Sequence, residues 1–195
     1  YFGKEYNMYI KEIKISNFRN FRDASVPFHE GVNVIIGHNN TGKSNLLRAI
    51  GLVLGYSDGR RLGTCDLFYE TDVVTLQQQS PRIKITLIFH RSQGEALDSA
   101  EMGLFSGMMT DPALSEEAKL RYEFKLADDQ EDNYKADVAG VTTAKEIWKI
   151  IDRDYIRLYR SSRSGGNQAA GISVNDALGQ MDFQFLDAIR DVSHD

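Results

Sequence analysis

The 195-residue sequence has one cysteine, three prolines and no run of about 18 apolar residues. The single cysteine, Cys65, excludes an internal disulfide and a metal site built from several cysteines, and it is typical of a reducing compartment. The four histidines lack metal-ligand spacing. We predict no membrane-spanning helix and no membrane partner. No secretory signal pattern opens the sequence, so we also expect a cytoplasmic location.

The composition is typical of a globular chain, with 42% hydrophobic and 26% charged residues and a formal net charge of −5. This length corresponds to one domain with its own core. Residues 1–90 carry 11 basic and 8 acidic side chains, whereas residues 91–195 carry 12 basic and 20 acidic ones. The balance argues against an extended basic surface for nucleic acid, although a nucleotide site needs only a few positive charges.

Hydrophobic periodicity predicts an α/β domain over residues 8–195, with residues 1–7 set apart as a remnant or an extension. Residues 9–16 and 82–90 alternate apolar and polar side chains and predict strands. Residues 32–36 are almost continuously β-branched, which predicts a strand buried on both faces. The other predictions are a strand over 24–29, a helix that ends at Gly55, an irregular segment over 56–80, a helical insertion over 91–118, a hairpin of 120–127 with 134–138, a helix over 143–152 capped by Thr142 or Thr143, a strand over 155–159, a polar loop over 161–171 and a helix over 174–192.

One segment carries specific chemistry: residues 37–44 form a complete G-x-x-x-x-G-K-[ST] phosphate-binding loop, here called the P-loop. Glycines let the backbone turn tightly, so that successive N–H groups point at phosphate oxygens. The Lys43 ammonium is expected to reach the β- and γ-phosphates as the catalytic residue, and the Ser44 hydroxyl is expected to ligate Mg²⁺. We therefore predict a nucleoside triphosphate site formed by Gly37, His38, Asn39, Asn40, Thr41, Gly42, Lys43 and Ser44.

Other P-loop classes fit less well. A GTPase needs N-K-x-D, which is absent, and its D-x-x-G string occurs twice, at 137–140 and 176–179, without a supporting pattern. Nothing identifies the arginine-rich lid of a small-molecule kinase.

The order of motifs resembles the ATPase heads of the RecF, SMC and OLD (overcoming lysogenization defect) families. A strand leads into Asn17-Phe18-Arg19-Asn20-Phe21, the P-loop follows, and Asn45-Leu46-Leu47 opens the helix. The resemblance implies the N-terminal lobe of an ABC-type ATPase head, a P-loop NTPase fold with an antiparallel β subdomain and a helical insertion. It also implies that ATP is the nucleotide, that Arg19 and Asn45 lie close to it, and that Asn39 and Asn40 approach the γ-phosphate.

Three short matches resemble the OLD family most: N-N-T-G-K-S in the P-loop, residues 65–68 and residues 185–192. Such a resemblance implies head-to-head dimers, a partner protein, and ATP hydrolysis coupled to a DNA endonuclease in phage defence. The first alternative is a RecF- or SMC-like ATPase of DNA repair or chromosome maintenance. The second is a module that binds ATP without hydrolysing it and controls assembly.

The sequence has no apolar strand that ends in Asp-Glu, the Walker B pattern that would hold Mg²⁺ and activate water. Residues 147–152 come nearest, but Lys149 interrupts the apolar run and Arg153 replaces the glutamate. Residues 164–168 resemble a signature loop only weakly. We therefore expect a C-terminal lobe outside this chain.

Three remaining features have ordinary explanations beside functional ones. Cys65 is expected to be a packed or partly exposed thiol, and the acidic residues 128–132 are expected to form a solvated turn rather than a metal site. The tyrosines and arginines interleaved over 155–163 suit either a DNA contact or a mixed surface.

Overall fold

The computed structural model describes residues 8–38, 41–55, 60–92, 105, 108–110 and 116–166. Among these residues, five strands form one antiparallel sheet in the order β2-β1-β3-β4-β5. They are β1 (Met8–Phe18), β2 (Phe21–Pro27), β3 (Ile83–Arg91), β4 (Glu117–Leu126) and β5 (Tyr159–Gly165). The strands predicted over 9–16, 24–29 and 82–90 are confirmed as β1, β2 and β3, with β2 beginning three residues earlier.

The helices bounded within the described ranges are α1 (Lys43–Leu54), α2 (Val73–Gln78), α3 (Glu131–Val138) and α4 (Ala144–Ile150). The P-loop helix ends at Gly55 in the left-handed conformation, and Thr143 caps α4, both as predicted. No helix in the described ranges is long and apolar enough to cross a membrane.

The segment predicted as irregular over 56–80 contains ordered structure where it is described. A 3₁₀ turn covers Thr64–Asp66, and α2 follows. The Asp72 carboxylate caps α2 by accepting from the Thr75 N–H at 2.9 Å. The prediction missed α2 because a six-residue helix is too short to establish a 3.6-residue period.

The core lies between the sheet and the helices, and β3 illustrates the alternation that builds it. Ile83, Ile85, Leu87 and Phe89 share the buried face, as their spacing predicts. Their cross-strand partners on β4 are also buried on that face, among them Phe124 opposite Ile83 and Leu120 opposite Leu87. The α1 helix packs against this part of the sheet.

The predicted hairpin of 120–127 with 134–138 is wrong. β4 pairs with β5 instead, and residues 134–138 belong to α3. Tyr134 and Val138 lie four residues apart on one helical face, and both are fully buried. Glu131 and Asp132 occupy the first helical turn, where negative side chains stabilise the positive end of the helix.

The end of the described chain also differs from the prediction. Residues 155–158 continue α4 as irregular helical turns, so the strand predicted over 155–159 is wrong. The following polar residues form β5 rather than a loop as far as Gly165. β5 lies at the edge of the described sheet, where exposed serine and arginine side chains are tolerated, and Arg163 also lies over the Tyr122 ring of β4. The predicted helix over 174–192 and most of the insertion over 91–118 lie outside the described residues.

The strand predicted immediately before the P-loop is absent. Residues 32–36 pair with no strand of the described sheet. Val32, Val34 and Ile36 are 92%, 76% and 89% exposed, respectively. A β-branched run becomes a buried strand only where other chain segments cover it, and the described residues supply none.

Candidate functional site

Two glycines allow the P-loop to turn tightly. Gly42 has φ +99°, and a Cβ there would lie 2.5 Å from Nδ2 of Asn20 and 3.2 Å from the Phe21 ring. A Cβ at Gly37 would lie 2.8 Å from Oγ1 of Thr41. Both glycines therefore permit a close approach that a larger residue would prevent. Asn39 and Asn40, which were predicted near the γ-phosphate, lie outside the described residues.

The Lys43 ammonium lies within the P-loop. Its Nζ donates to the carbonyl oxygens of Gly37 at 2.5 Å and His38 at 2.6 Å. The Thr41 hydroxyl donates to the same His38 oxygen at 2.9 Å. The lysine is therefore held beside the backbone that would surround a phosphate group.

The N-terminal end of α1 also has the features of an anion-binding site. Its ladder begins with the Leu46 N–H, which donates to Gly42 O at 2.8 Å, so the N–H groups of Lys43, Ser44 and Asn45 precede the first intrahelical bond. The first turn contains no acidic residue to offset the positive end of the helix dipole. Such an end favours an anion, and exposed Ser44 lies on it.

The turn between β1 and β2 lies against this helix end. Two of its residues have unusual positive φ angles, +56° at Asn17 and +50° at Arg19. The backbone is held there by the Arg19 N–H, which donates to Asp66 O at 2.9 Å, and by the Phe68 N–H, which donates to Asn17 O at 3.1 Å. The Asn17–Asn20 turn is thus fastened to the segment around Asp66.

Side chains continue this connection to α1. Arg19 donates from Nη1 to Oδ1 of Asn45 at 2.7 Å, and Asn45 donates from Nδ2 to Oδ1 of Asn20 at 2.7 Å. Arg19 also donates from Nε to Oδ1 of Asp66 at 2.9 Å. The structure therefore brings Arg19 and Asn45 together with the P-loop residues Gly42, Lys43 and Ser44.

Asp66 is the residue that sequence reasoning missed. Its side chain is fully buried and accepts hydrogen bonds from Arg19, from Arg60 and from the Gly63 N–H. Burial alone would raise its pKa, but the Gly63 N–H and the two guanidinium groups outweigh burial, and the pKa of Asp66 lies below its ordinary value. Its sequence signal was the match over residues 65–68, which gave no indication of these partners.

The interleaved tyrosines and arginines near β5 have mainly structural contacts. Tyr155 and Tyr159 are buried, and the Tyr159 hydroxyl donates to Pro81 O at 2.9 Å. Arg163 donates to Leu52 O at 2.8 Å near the C-terminal end of α1. Arg157 and Arg160 are exposed.

The structure does not arrange Asp152 as a Walker B carboxylate, and the described part of residues 164–168 does not form a signature loop. Asp152 is exposed on a helical turn, where its carboxylate accepts from the Thr64 hydroxyl at 2.6 Å. Residues 164–165 belong to β5, and residues 167–168 lie outside the described ranges. In the part of the chain that the structure describes, no group of three His, Cys, Asp or Glu side chains forms a metal site, and Cys65 is an exposed thiol.

A glycine-lined loop, a lysine within it and a helix N-terminus define a P-loop NTPase. Residues 8–176 match the model of the AAA ATPase domain, so the chain belongs to that family. The expectation of an α/β ATPase fold is thereby confirmed.

Named relatives include the DNA replication and repair protein RecF of Streptococcus suis, 32% identical over 88 residues. That match covers 45% of this chain and 22% of the relative. RecF of Limosilactobacillus reuteri is 36% identical over 80 residues, or 41% of this chain and 20% of the relative. The matches thus span about a fifth of these relatives' length.

Solved structures with related chains include the recombination mediator protein RecF with ATP, at 25% identity and a TM-score of 0.40. The matched region covers 64% of this chain and 26% of the RecF chain. Another, from work on ATP-driven dimerization and DNA-stimulated activation of SMC ATPases, has 19% identity and a TM-score of 0.41. The matched region covers 73% of this chain and 77% of the chain in that structure.

Proposed function

We propose that this chain is the ATP-binding part of a DNA-acting ATPase of the RecF and SMC type. The observation that carries the proposal is the Lys43 ammonium held within the P-loop, with Arg19 bonded to Asn45 on the first turn of the helix that follows. The similarity to RecF proteins favours this type over the OLD-type endonuclease. The OLD hypothesis depends in part on residues 185–192, which lie outside the described ranges.

In the proposed complex, the N–H groups at the start of α1 donate to β-phosphate oxygens. Phosphate oxygens replace the carbonyl groups of Gly37 and His38 as the acceptors of Lys43. Arg19 would keep its bonds from Nε and Nη1 and offer its Nη2 group to a phosphate oxygen.

The residues present fit Mg²⁺ as the accompanying metal. Ser44 carries its hydroxyl on the exposed first turn of α1, one residue after the phosphate-binding lysine. Hard oxygen ligands of this kind suit Mg²⁺, which also takes oxygens from the phosphates. The metal would neutralise charge on the phosphate groups during transfer.

We further propose that hydrolysis needs another lobe and a head-to-head dimer. The exposed apolar side chains of Val32, Val34 and Ile36 support the need for another lobe. A nearly continuous β-branched run of this kind is typical of a strand that is covered on both faces. That lobe would supply the carboxylate that positions water. The complete protein would act on DNA in the cytoplasm, with a partner protein where its task requires one.

Calorimetric titration of the purified chain with Mg-ATP tests the nucleotide assignment. Lys43→Ala removes a charge-assisted phosphate contact, so ATP affinity should fall about tenfold to a hundredfold. Lys84→Ala is the matched control, since Lys84 is an exposed lysine on β3. Unchanged affinity in Lys43→Ala would refute the assignment. Tight ATP binding with no turnover in the longer protein would instead support the ATP-sensing module.

A further inference from the structure

We propose that Asp66 is a positioning residue that aims the Arg19 guanidinium at the terminal phosphate of the nucleotide. The inference rests on the proposed function, because it needs a triphosphate in the P-loop. Asp66 itself touches no phosphate in this scheme and acts only through Arg19. It would thereby favour ATP over ADP.

Two separate anchors fix the direction of the arginine. Nε donates to Asp66 and Nη1 donates to Asn45, at 2.9 and 2.7 Å respectively. Because a guanidinium is planar and rigid, anchoring two of its nitrogens also fixes where the third one points. The side chain keeps 24% of its surface exposed, and in the proposal the third nitrogen is the one that takes the ligand.

The carboxylate that holds Arg19 is itself immobile. Asp66 is fully buried, and its oxygens are fixed by Arg60 at 2.9 Å and by the Gly63 N–H at 3.1 Å. The Asp66 backbone oxygen also holds the Arg19 N–H, and Arg19 has φ +50°. One residue thus fixes both the backbone and the side chain of Arg19. Because a free arginine side chain is flexible, fixing it in advance lowers the entropy cost of ordering it when a ligand binds.

A purely structural ion pair is the competing explanation, and a double-mutant cycle separates the two. Mg-ATP and Mg-ADP are titrated into the chain and into Arg19→Ala, Asp66→Asn and the double variant. Each single change should weaken ATP binding about tenfold and ADP binding much less. The double variant should bind ATP no more weakly than Arg19→Ala, because Asp66 acts only through Arg19.

Lys84→Ala, on the exposed face of β3, provides the control that should leave ATP affinity unchanged. Arg60→Ala provides an intermediate case: it removes one partner that fixes the carboxylate but leaves the Arg19–Asp66 contact, so ATP affinity should fall less than in Asp66→Asn. A loss of ATP affinity in Arg60→Ala equal to that of Asp66→Asn would overturn the proposal. Such a result would show that any disturbance of the buried carboxylate has the same effect.

The outcomes distinguish this proposal from the proposed function. Lost binding in Lys43→Ala with normal binding in Arg19→Ala would keep the P-loop assignment and reject Arg19 as a phosphate contact. Weakened binding in Arg19→Ala with normal binding in Asp66→Asn would reject only the positioning role. Additive losses in the double variant would do the same.

Because Asp66 is buried, Asp66→Asn risks unfolding the chain, so Arg19→Lys provides a second test. Lysine keeps the positive charge but cannot bond to Asp66 and Asn45 at once with a planar group. We expect Arg19→Lys to weaken ATP binding about as much as Arg19→Ala does, with both variants folded by circular dichroism. Wild-type affinity in Arg19→Lys would show that charge alone suffices and would overturn the proposal.

Discussion

Arg19 donates to Asp66 at 2.9 Å although 47 residues separate them along the chain. One residue lies in the β1–β2 turn, and the other ends the 3₁₀ turn after α1. Their bond joins the chain segments on either side of α1, and Arg19 also bonds to Asn45 on that helix. The helix that follows the P-loop is thus tied to the β1–β2 turn of the antiparallel sheet through side chains.

The first prediction concerns acid stability. The pKa of Asp66 is lower in the folded chain than the ordinary value of about 3.9 expected in the unfolded one. Its contribution to stability is therefore complete above that unfolded value and is lost as pH falls through the folded pKa. Between about pH 5 and pH 2, the free energy of unfolding should fall more steeply in the wild-type chain than in Asp66→Asn, measured by urea unfolding. Equal slopes would contradict it.

The sequence predicted much of the sheet because its signals are local. β1 and β3 alternate apolar and polar side chains, and that alternation needs no tertiary partner to recognise. Elements whose identity depends on distant partners were mispredicted. Residues 134–138 read equally well as a strand, and only burial of Tyr134 and Val138 on one face of α3 decides for a helix.

The same division holds for the site. The glycine spacing and Lys43 predict the loop and the helix after it, because the whole motif lies in eight consecutive residues. Asp66 could not be predicted as a partner of Arg19, since a buried charge is recognised by what surrounds it. The strand predicted over residues 32–36 is wrong for the opposite reason. Its pattern indicates burial, whereas no segment of the described chain covers it.

Gly42 should be harder to replace than Gly55. Both have positive φ, +99° and +88°, but a Cβ at Gly55 meets nothing within 4 Å, whereas at Gly42 it meets Asn20 at 2.5 Å. Gly55→Ala should cost only the conformational strain, about 1–2 kcal/mol, and Gly42→Ala should cost more. Thermal unfolding of the two variants compares them. Equal losses would show that Asn20 moves aside freely.

Ser44→Ala should change the metal dependence of binding rather than remove binding. The hydroxyl is the proposed Mg²⁺ ligand, while the backbone N–H groups and Lys43 remain. In titrations with ATP, added Mg²⁺ should strengthen binding less in Ser44→Ala than in the wild-type chain. Ser25→Ala, on β2 and outside the P-loop, is the control. An unchanged Mg²⁺ effect would remove Ser44 from the metal site.

The exposed segment before the P-loop gives a prediction with opposite outcomes in two contexts. Ile36 is 89% exposed, so Ile36→Thr should change the stability of this chain by less than about 0.5 kcal/mol. Ile85→Thr is the control, since Ile85 is fully buried and its loss should cost about 2 kcal/mol or more. In a longer protein with the proposed second lobe, Ile36→Thr should become clearly destabilising. Denaturant unfolding of both proteins measures this, and a neutral effect in both would argue against a covered strand.

The isolated chain should have negligible ATPase activity. Phosphate binding needs the P-loop and the start of α1, but hydrolysis also needs a carboxylate that positions the attacking water. Asp152, the nearest acidic residue of the expected pattern, is exposed and bonded to Thr64 instead of following a buried strand. Phosphate release should be measured from the chain, from Lys43→Ala and from Asp152→Asn. Robust turnover that Lys43→Ala abolishes would reject the need for a second lobe, and its loss in Asp152→Asn as well would identify Asp152 as the catalytic carboxylate.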